Sequence, residues 1–193
     1  MARPGDVIES PVLGERAVFR KTAGDTHGEL LQLEAIAKPG TSGPVEHIHL
    51  RQEERIEVIS GVMHARVAGH EQRVEAGQSV LIPAGTPHTF HNAGQEDLHM
   101  SVEFRPALQT ERFFETMFGL ARAGKTNAAG EPPFLQMAVI CQAHDIYVPK
   151  PPVFMQRLLF AVLVPIAKLL GYRAWYPEYS ASAEQVPLVP AKR

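Results

Sequence analysis

His47, His49, Glu54 and His88 are the residues of this chain whose types and spacing could do chemistry together. On a strand, side chains two positions apart share a face, so His47 and His49 can point to one centre while Ile48 turns away. Glu54 has the opposite parity, which requires the strand to break at Leu50-Arg51-Gln52. Beyond that break Ile56 and Val58 are the inward apolar positions, and Glu54 shares their parity, which selects it over Glu53. His88 follows Pro83-Ala84-Gly85-Thr86-Pro87, a turn that two prolines and a glycine hold tight, so a neighbouring strand can deliver its ring to the same centre. Neutral imidazoles with one carboxylate suit a single divalent transition ion, Fe, Mn, Ni, Co, Cu or Zn, better than oxygen-preferring Ca²⁺. Protein ligands at four positions of an ion that prefers about six leave room for water, substrate or dioxygen, which is the requirement of catalysis rather than of structure alone.

The elements that must position these residues are short strands. Residues 1–16, rich in Pro, Gly and charge, read as an N-terminal arm able to pair with a sheet. Strands are expected at 17–20, 29–37, 45–49, 55–59, 62–67, 72–75, 79–82, 88–91 and 98–104, punctuated by Gly and Pro, with 29–37 apolar enough to be buried on both faces. That spacing argues for an antiparallel sandwich or barrel over residues 17–106, with no helix before 106. Residues 107–176 form a helical extension. Thr110 reads as an N-cap, Phe113, Phe114, Met117, Leu120 and Ala121 recur at helical spacing, and Gly124 reads as a stop. A second helix runs from Pro132 or Pro133 to about His144. A stiff proline linker then leads to an apolar helix from about Val153 to Leu170 with Pro165 as a kink. Residues 177–193 read as an irregular tail.

Bulk properties narrow the classes. The 193 residues carry a formal net charge of −2 and one cysteine, Cys141. No basic stripe or helix-turn-helix pattern points to nucleic acid, and a lone thiol with no apolar N-terminal leader fits a cytoplasmic protein. The uncharged run 158–167 falls short of the roughly 20 residues a membrane span needs. Phe154, Tyr172, Trp175 and Tyr176, with Lys150 and Arg173, resemble the flanks of an interfacial helix. Packing over the barrel or into a subunit interface is nevertheless preferred to peripheral membrane contact through residues 153–176.

The motifs His47-x-His49-x4-Glu54-x6-Gly61 and Gly77-x5-Pro83-x-Gly85-x2-His88-x3-Asn92 resemble the two cupin motifs, with 15 residues between Gly61 and Gly77 as in compact microbial cupins. The second motif is complete. The first departs at its leading glycine, where Thr41 stands with Gly40 and Gly43 beside it. The resemblance covers roughly residues 17–106 and implies a mainly β fold, a cupin jelly-roll antiparallel β-barrel carrying a C-terminal α-helical extension. It further implies His47, His49, Glu54 and His88 as metal ligands and a homodimer.

Around that centre, Ile56, Val58, Met63 and Phe90 are expected to line an apolar pocket. His99, Ser101 and Glu103 share one face of the 98–104 strand, and Met100, Val102 and Phe104 the other. If the first set faces inward, Ser101 joins the pocket and Glu103 orients a ligand histidine or serves as acid or base. If it faces outward, it meets solvent. His91, His64, His27, His70 and His144 are expected to be solvated. Two functions compete: a metal-dependent oxygenase or isomerase acting on a small organic molecule, and a non-catalytic module that binds or senses a small ligand.

Overall fold

The computed structural model describes residues 2–41 and 43–180. Its first 105 residues form ten strands: β1 (Val7–Ser10), β2 (Glu15–Lys21), β3 (Leu31–Ala37), β4 (Ile48–His49), β5 (Glu53–Ser60), β6 (Val62–Val67), β7 (His70–Glu75), β8 (Ser79–Ile82), β9 (His88–Asn92) and β10 (Leu98–Arg105). The larger sheet runs β1-β2-β3-β10-β5-β8 and the smaller β7-β6-β9, every pairing antiparallel. Their facing sides close a double-sheet barrel of jelly-roll type. The N-terminal arm is part of it, because Val7 pairs with Val18 and Ser10 with Glu15.

Alternation explains the interior. Phe19, Leu31, Leu33, Ile56, Val58, Met63 and Leu98 are buried almost completely and pack as one cluster. Each such side chain contributes about 1.5–3 kcal/mol by leaving water. β3 departs from the expectation of burial on both faces. Leu31, Leu33 and Ala37 are buried, but Gln32, Glu34 and Ile36 are only half-buried on the outer side. There Glu34 accepts from Arg20 and pairs with the ring of His99, both at 2.6 Å, so the polar residues find partners where the apolar ones would find none.

Three helices follow: α1 (Thr110–Arg122), α2 (Phe134–His144) and α3 (Val153–Leu169), with Pro165 inside the last. Gln109 rather than Thr110 stands at the N-cap position of α1, with no side-chain capping bond; Thr110 is already helical and its Oγ1 accepts from Gln52 Nε2 at 2.7 Å. Gly124 follows the helix with a positive φ, as a stop should. Phe118 of α1 joins the barrel cluster, and Phe114 and Met117 pack against it. A second small core holds Ala138 and Val139 of α2, Phe160, Val164 and Ala167 of α3, and Tyr147.

Between α2 and α3 lies an unexpected strand, β11 (Ile146–Tyr147), which pairs with β4 as Ile146 to His49 and Tyr147 to Ile48. The extension therefore joins the barrel through backbone hydrogen bonds at a strand that carries a candidate ligand. Residues 177–179 form a 3-10 turn, and the remainder of the expected tail, 181–193, lies outside the described residues.

Candidate metal centre

Four backbone features bring the cluster together. β4 delivers His49 inward, and just before it the backbone of His47 exchanges two hydrogen bonds of 2.9 Å with that of His88. The Pro83–Pro87 turn is hooked onto β4 by Gly85 N–H, which donates to His49 O at 2.8 Å. Gly85 has φ +80°, a conformation open to glycine at little cost, so the proline-flanked turn can bend back to this contact. β5, set between β10 and β8, places Glu54 opposite Phe104 on one side and Ile82 on the other.

The side-chain atoms converge. His47 Nε2 lies 3.0 Å from His49 Nε2, and Glu54 Oε2 lies 3.0 Å from His88 Nε2 and 3.5 Å from His49 Nε2. One donor atom from each of the four residues falls within 4.8 Å of the others. His49, Glu54 and His88 are buried, and His47 is half-buried at the edge. Val45 O lies 2.9 Å from His47 Nδ1, and Thr86 O 2.9 Å from His88 Nδ1. A carbonyl only accepts, so both Nδ1 atoms carry hydrogen and both Nε2 atoms are turned into the cluster. Outer contacts of this kind fix the ring and tautomer of histidine metal ligands.

Electrostatics fit the same use. Burial, with His88 and His49 alongside, pushes His47 down to about 3, and burial also lowers His49. Both are therefore neutral imidazoles near neutral pH, the form that ligates. Burial works to raise Glu54, but the hydrogen bond and charge of His88 and the charges of His49 and His47 outweigh it and hold the carboxyl below its usual range. Burial works to lower His88, and its bond to Glu54 outweighs that and raises it. An Nε2 already turned toward a carboxylate oxygen needs a positive charge between the two. Without metal a proton supplies it, and a divalent ion fits the same place. The donor set, three imidazole nitrogens and one carboxylate, suits a transition ion.

His47, His49 and Glu54 line a cavity of about 1490 Å³, larger than the roughly 300–1,000 Å³ of most ligand pockets. Phe90, Met100, Val102, Phe104, Phe114 and Phe160 are among the apolar side chains that wall it. Phe90 is where the alternation placed it. Ile56, Val58 and Met63 also face inward but are wholly covered in the core, so they support the cavity rather than line it.

Ser101 and Glu103 require correction. β10 turns Met100, Val102 and Phe104 inward, the side on which apolar groups gain by burial, and this puts His99, Ser101 and Glu103 on the outer face. There Ser101 and Glu103 accept from Gln32 Nε2 at 3.2 and 3.3 Å, and Glu103 pairs with Arg105 at 3.1 Å. Glu103 is thus no acid or base of this cavity. His144 also departs from expectation: it is buried, its ring meets Phe113 edge-on, and burial pushes it down to about 4. Sequence reasoning missed the ring sequence His49, Phe104, Phe114, Phe113, His144, with neighbouring centroids 5.4–5.7 Å apart. The aromatic residues were visible, but the meeting of α1 with β10 was not.

Comparison with known proteins agrees with this architecture. The model of the Cupin domain family matches residues 33–104. A probable oxidoreductase, virH, of Hypocrea virens is 34% identical over 158 residues, covering 75% of this chain and 71% of that protein. An oxidoreductase, iacF, of Pestalotiopsis fici is 33% identical over 84 residues, 42% of this chain and 41% of that one. Among solved structures, an RmlC-like cupin from Shewanella frigidimarina superposes with a TM-score of 0.46 at 22% identity, covering 53% of this chain and 86% of its own. With the family model spanning β3 to β10 and a relative 34% identical matched over 71% of its own length, the chain belongs to the cupin superfamily.

Proposed function

We propose that the protein is a metal-dependent enzyme of the oxygenase or isomerase type, acting on a small, largely apolar organic molecule held in the barrel cavity. The observation that carries this reading is the convergence of His47, His49, Glu54 and His88 within 4.8 Å, with the first three lining a largely apolar cavity. When bound there, a divalent transition ion supplies a Lewis-acidic or redox-active centre with open positions. The chain's own residues do the rest. Val45 O and Thr86 O hold the His47 and His88 rings in the ligating tautomer, while Phe90, Met100 and Phe104 exclude water and orient the apolar body of a substrate. The names of the two relatives, both oxidoreductases, support the oxygenase arm.

Elemental analysis of protein purified without added metal tests the reading. A stoichiometric transition metal is expected, lost in His49→Ala and His88→Ala while their circular dichroism keeps the β signature. Oxygen uptake with a panel of small diols, keto acids and aromatics then separates oxygenase from isomerase. A wild type that carries no metal and gains no thermal stability from any divalent transition ion would sink the proposal.

A further inference from the structure

α3 has two apolar sides, and the fold covers only one. Gln156, Phe160, Val164 and Ala167 are buried. At about 100° per residue, Phe154, Leu158, Val162, Ile166 and Leu169 stand on the opposite side, and they are 48–89% exposed. An apolar stripe of this length on a surface marks something that covers it. Charge says what. From residue 146 to residue 177 the chain carries Lys150, Arg157, Lys168 and Arg173 and no Asp or Glu, in a protein whose net charge is −2. Arg157 is engaged by Asp145 and the ring of Tyr147. Among the described residues Lys150, Lys168 and Arg173 make no ion pair.

We propose that the outer face of α3 rests on an anionic lipid surface, the helix lying in the plane of the interface with its apolar stripe at the acyl boundary and Lys150, Lys168 and Arg173 at the headgroups. No helix among the described residues is long and apolar enough to cross a membrane, and the 17 residues of α3 suit a helix that lies on one. A second copy is the poorer occupant. A two-fold pairing through this face would set Lys150, Lys168 and Arg173 of one copy against the same three of another, with no Asp or Glu between residues 146 and 177 to offset them. The inference is independent of the metal. It also bears on substrate access, because Leu159 and Leu170, exposed beside the stripe, wall the cavity that reaches the His47 cluster.

Flotation of the full chain with vesicles tests this, using phosphatidylcholine alone and a roughly two-to-one mixture of phosphatidylcholine and phosphatidylglycerol at low salt. Binding to the mixed vesicles is expected to exceed binding to the neutral ones by about ten- to a hundredfold and to weaken with salt. Lys168→Gln with Arg173→Gln reduces that excess, and Leu158→Glu with Val162→Glu abolishes flotation while leaving the melting curve and metal content at wild-type values. A wild type that does not float, or that binds neutral and anionic vesicles equally, overturns the proposal. In a wild type that does not float, light scattering showing a dimer that Leu158→Glu with Val162→Glu splits assigns the stripe to a second copy.

Discussion

Burial pushes the Glu15 carboxyl up to about 7 from an ordinary 4.5. It lines the cavity at the start of β2, and among the described residues its side chain has no hydrogen-bond or ion-pair partner. The folded chain therefore holds this proton more tightly than the unfolded one. Its contribution is fully present below about pH 4.5 and is lost as the pH rises to about 7. Glu15→Gln is expected to flatten the stability profile in that window alone, measured as urea midpoints at half-unit pH steps. An unchanged profile would remove Glu15 from the account. Glu103, on the other face of the larger sheet, gives the opposite expectation: Glu103→Gln leaves metal binding at the proposed centre at the wild-type level, and a loss beyond about tenfold would return it to the cavity. Its sidedness was half legible. Alternation divides β10 into two faces, and the apolar face is the one to bury, but three polar residues in step also resemble a catalytic strip. Glu54 was more legible: given a strand break at Leu50-Arg51-Gln52, it shares the parity of Ile56 and Val58 and Glu53 does not.

At the scale of elements, the site depends on how closely two backbones approach. A Cβ on Gly43, whose φ is +65°, would stand 1.8 Å from Phe90 O, two residues from His88 on β9. No side chain fits there, so Gly43 supplies the close contact although Thr41 holds the first motif's leading position. Thr41 takes another role, its hydroxyl bridging Leu13 O at 3.2 Å and Lys38 O at 2.5 Å. Gly43→Ala must move β9, and is expected to cost about 1–3 kcal/mol and to lower metal occupancy as His88 is displaced. Thermal melting with metal analysis of the same sample checks both. Full occupancy at wild-type stability would show that the loop yields without touching the site. The motif glycines were readable as a pattern, but which of Gly40 and Gly43 makes the contact depends on the distance to a strand nearly fifty residues away. β11 was illegible for a related reason: two residues have no periodicity, and their pairing exists only once α2 and α3 have brought them to β4.

At the scale of the whole molecule, the helices are tied to the candidate metal centre by several contacts. Ile146 pairs with His49, Asp145 Oδ2 holds Arg51 at 2.7 Å, and Phe114 meets Phe104, whose ring in turn meets His49. Gln52, between the candidate ligands His49 and Glu54, spends its amide on Pro106 O, Ala107 O and the hydroxyl of Thr110. The extension thus supports both sides of the chain break that lets His49 and Glu54 share a centre. A chain ending at residue 106 would keep all ten barrel strands and, of these supports, only the Pro106 carbonyl and the Phe104–His49 ring contact. Phe104 loses the cover of Phe114, and the barrel core loses Phe118; at about 1.5–3 kcal/mol for each such side chain, the melting temperature should fall by about 10 °C or more. Metal binding should weaken further than stability does, because His49 is freed at its strand while the barrel core of Phe19, Leu33, Ile56 and Met63 remains. Titration of the full and shortened chains with the same divalent transition ion, beside their β circular dichroism, separates these effects. A folded barrel that binds metal as tightly as the full chain would show that residues 107–180 cover the cavity without holding its ligands in place.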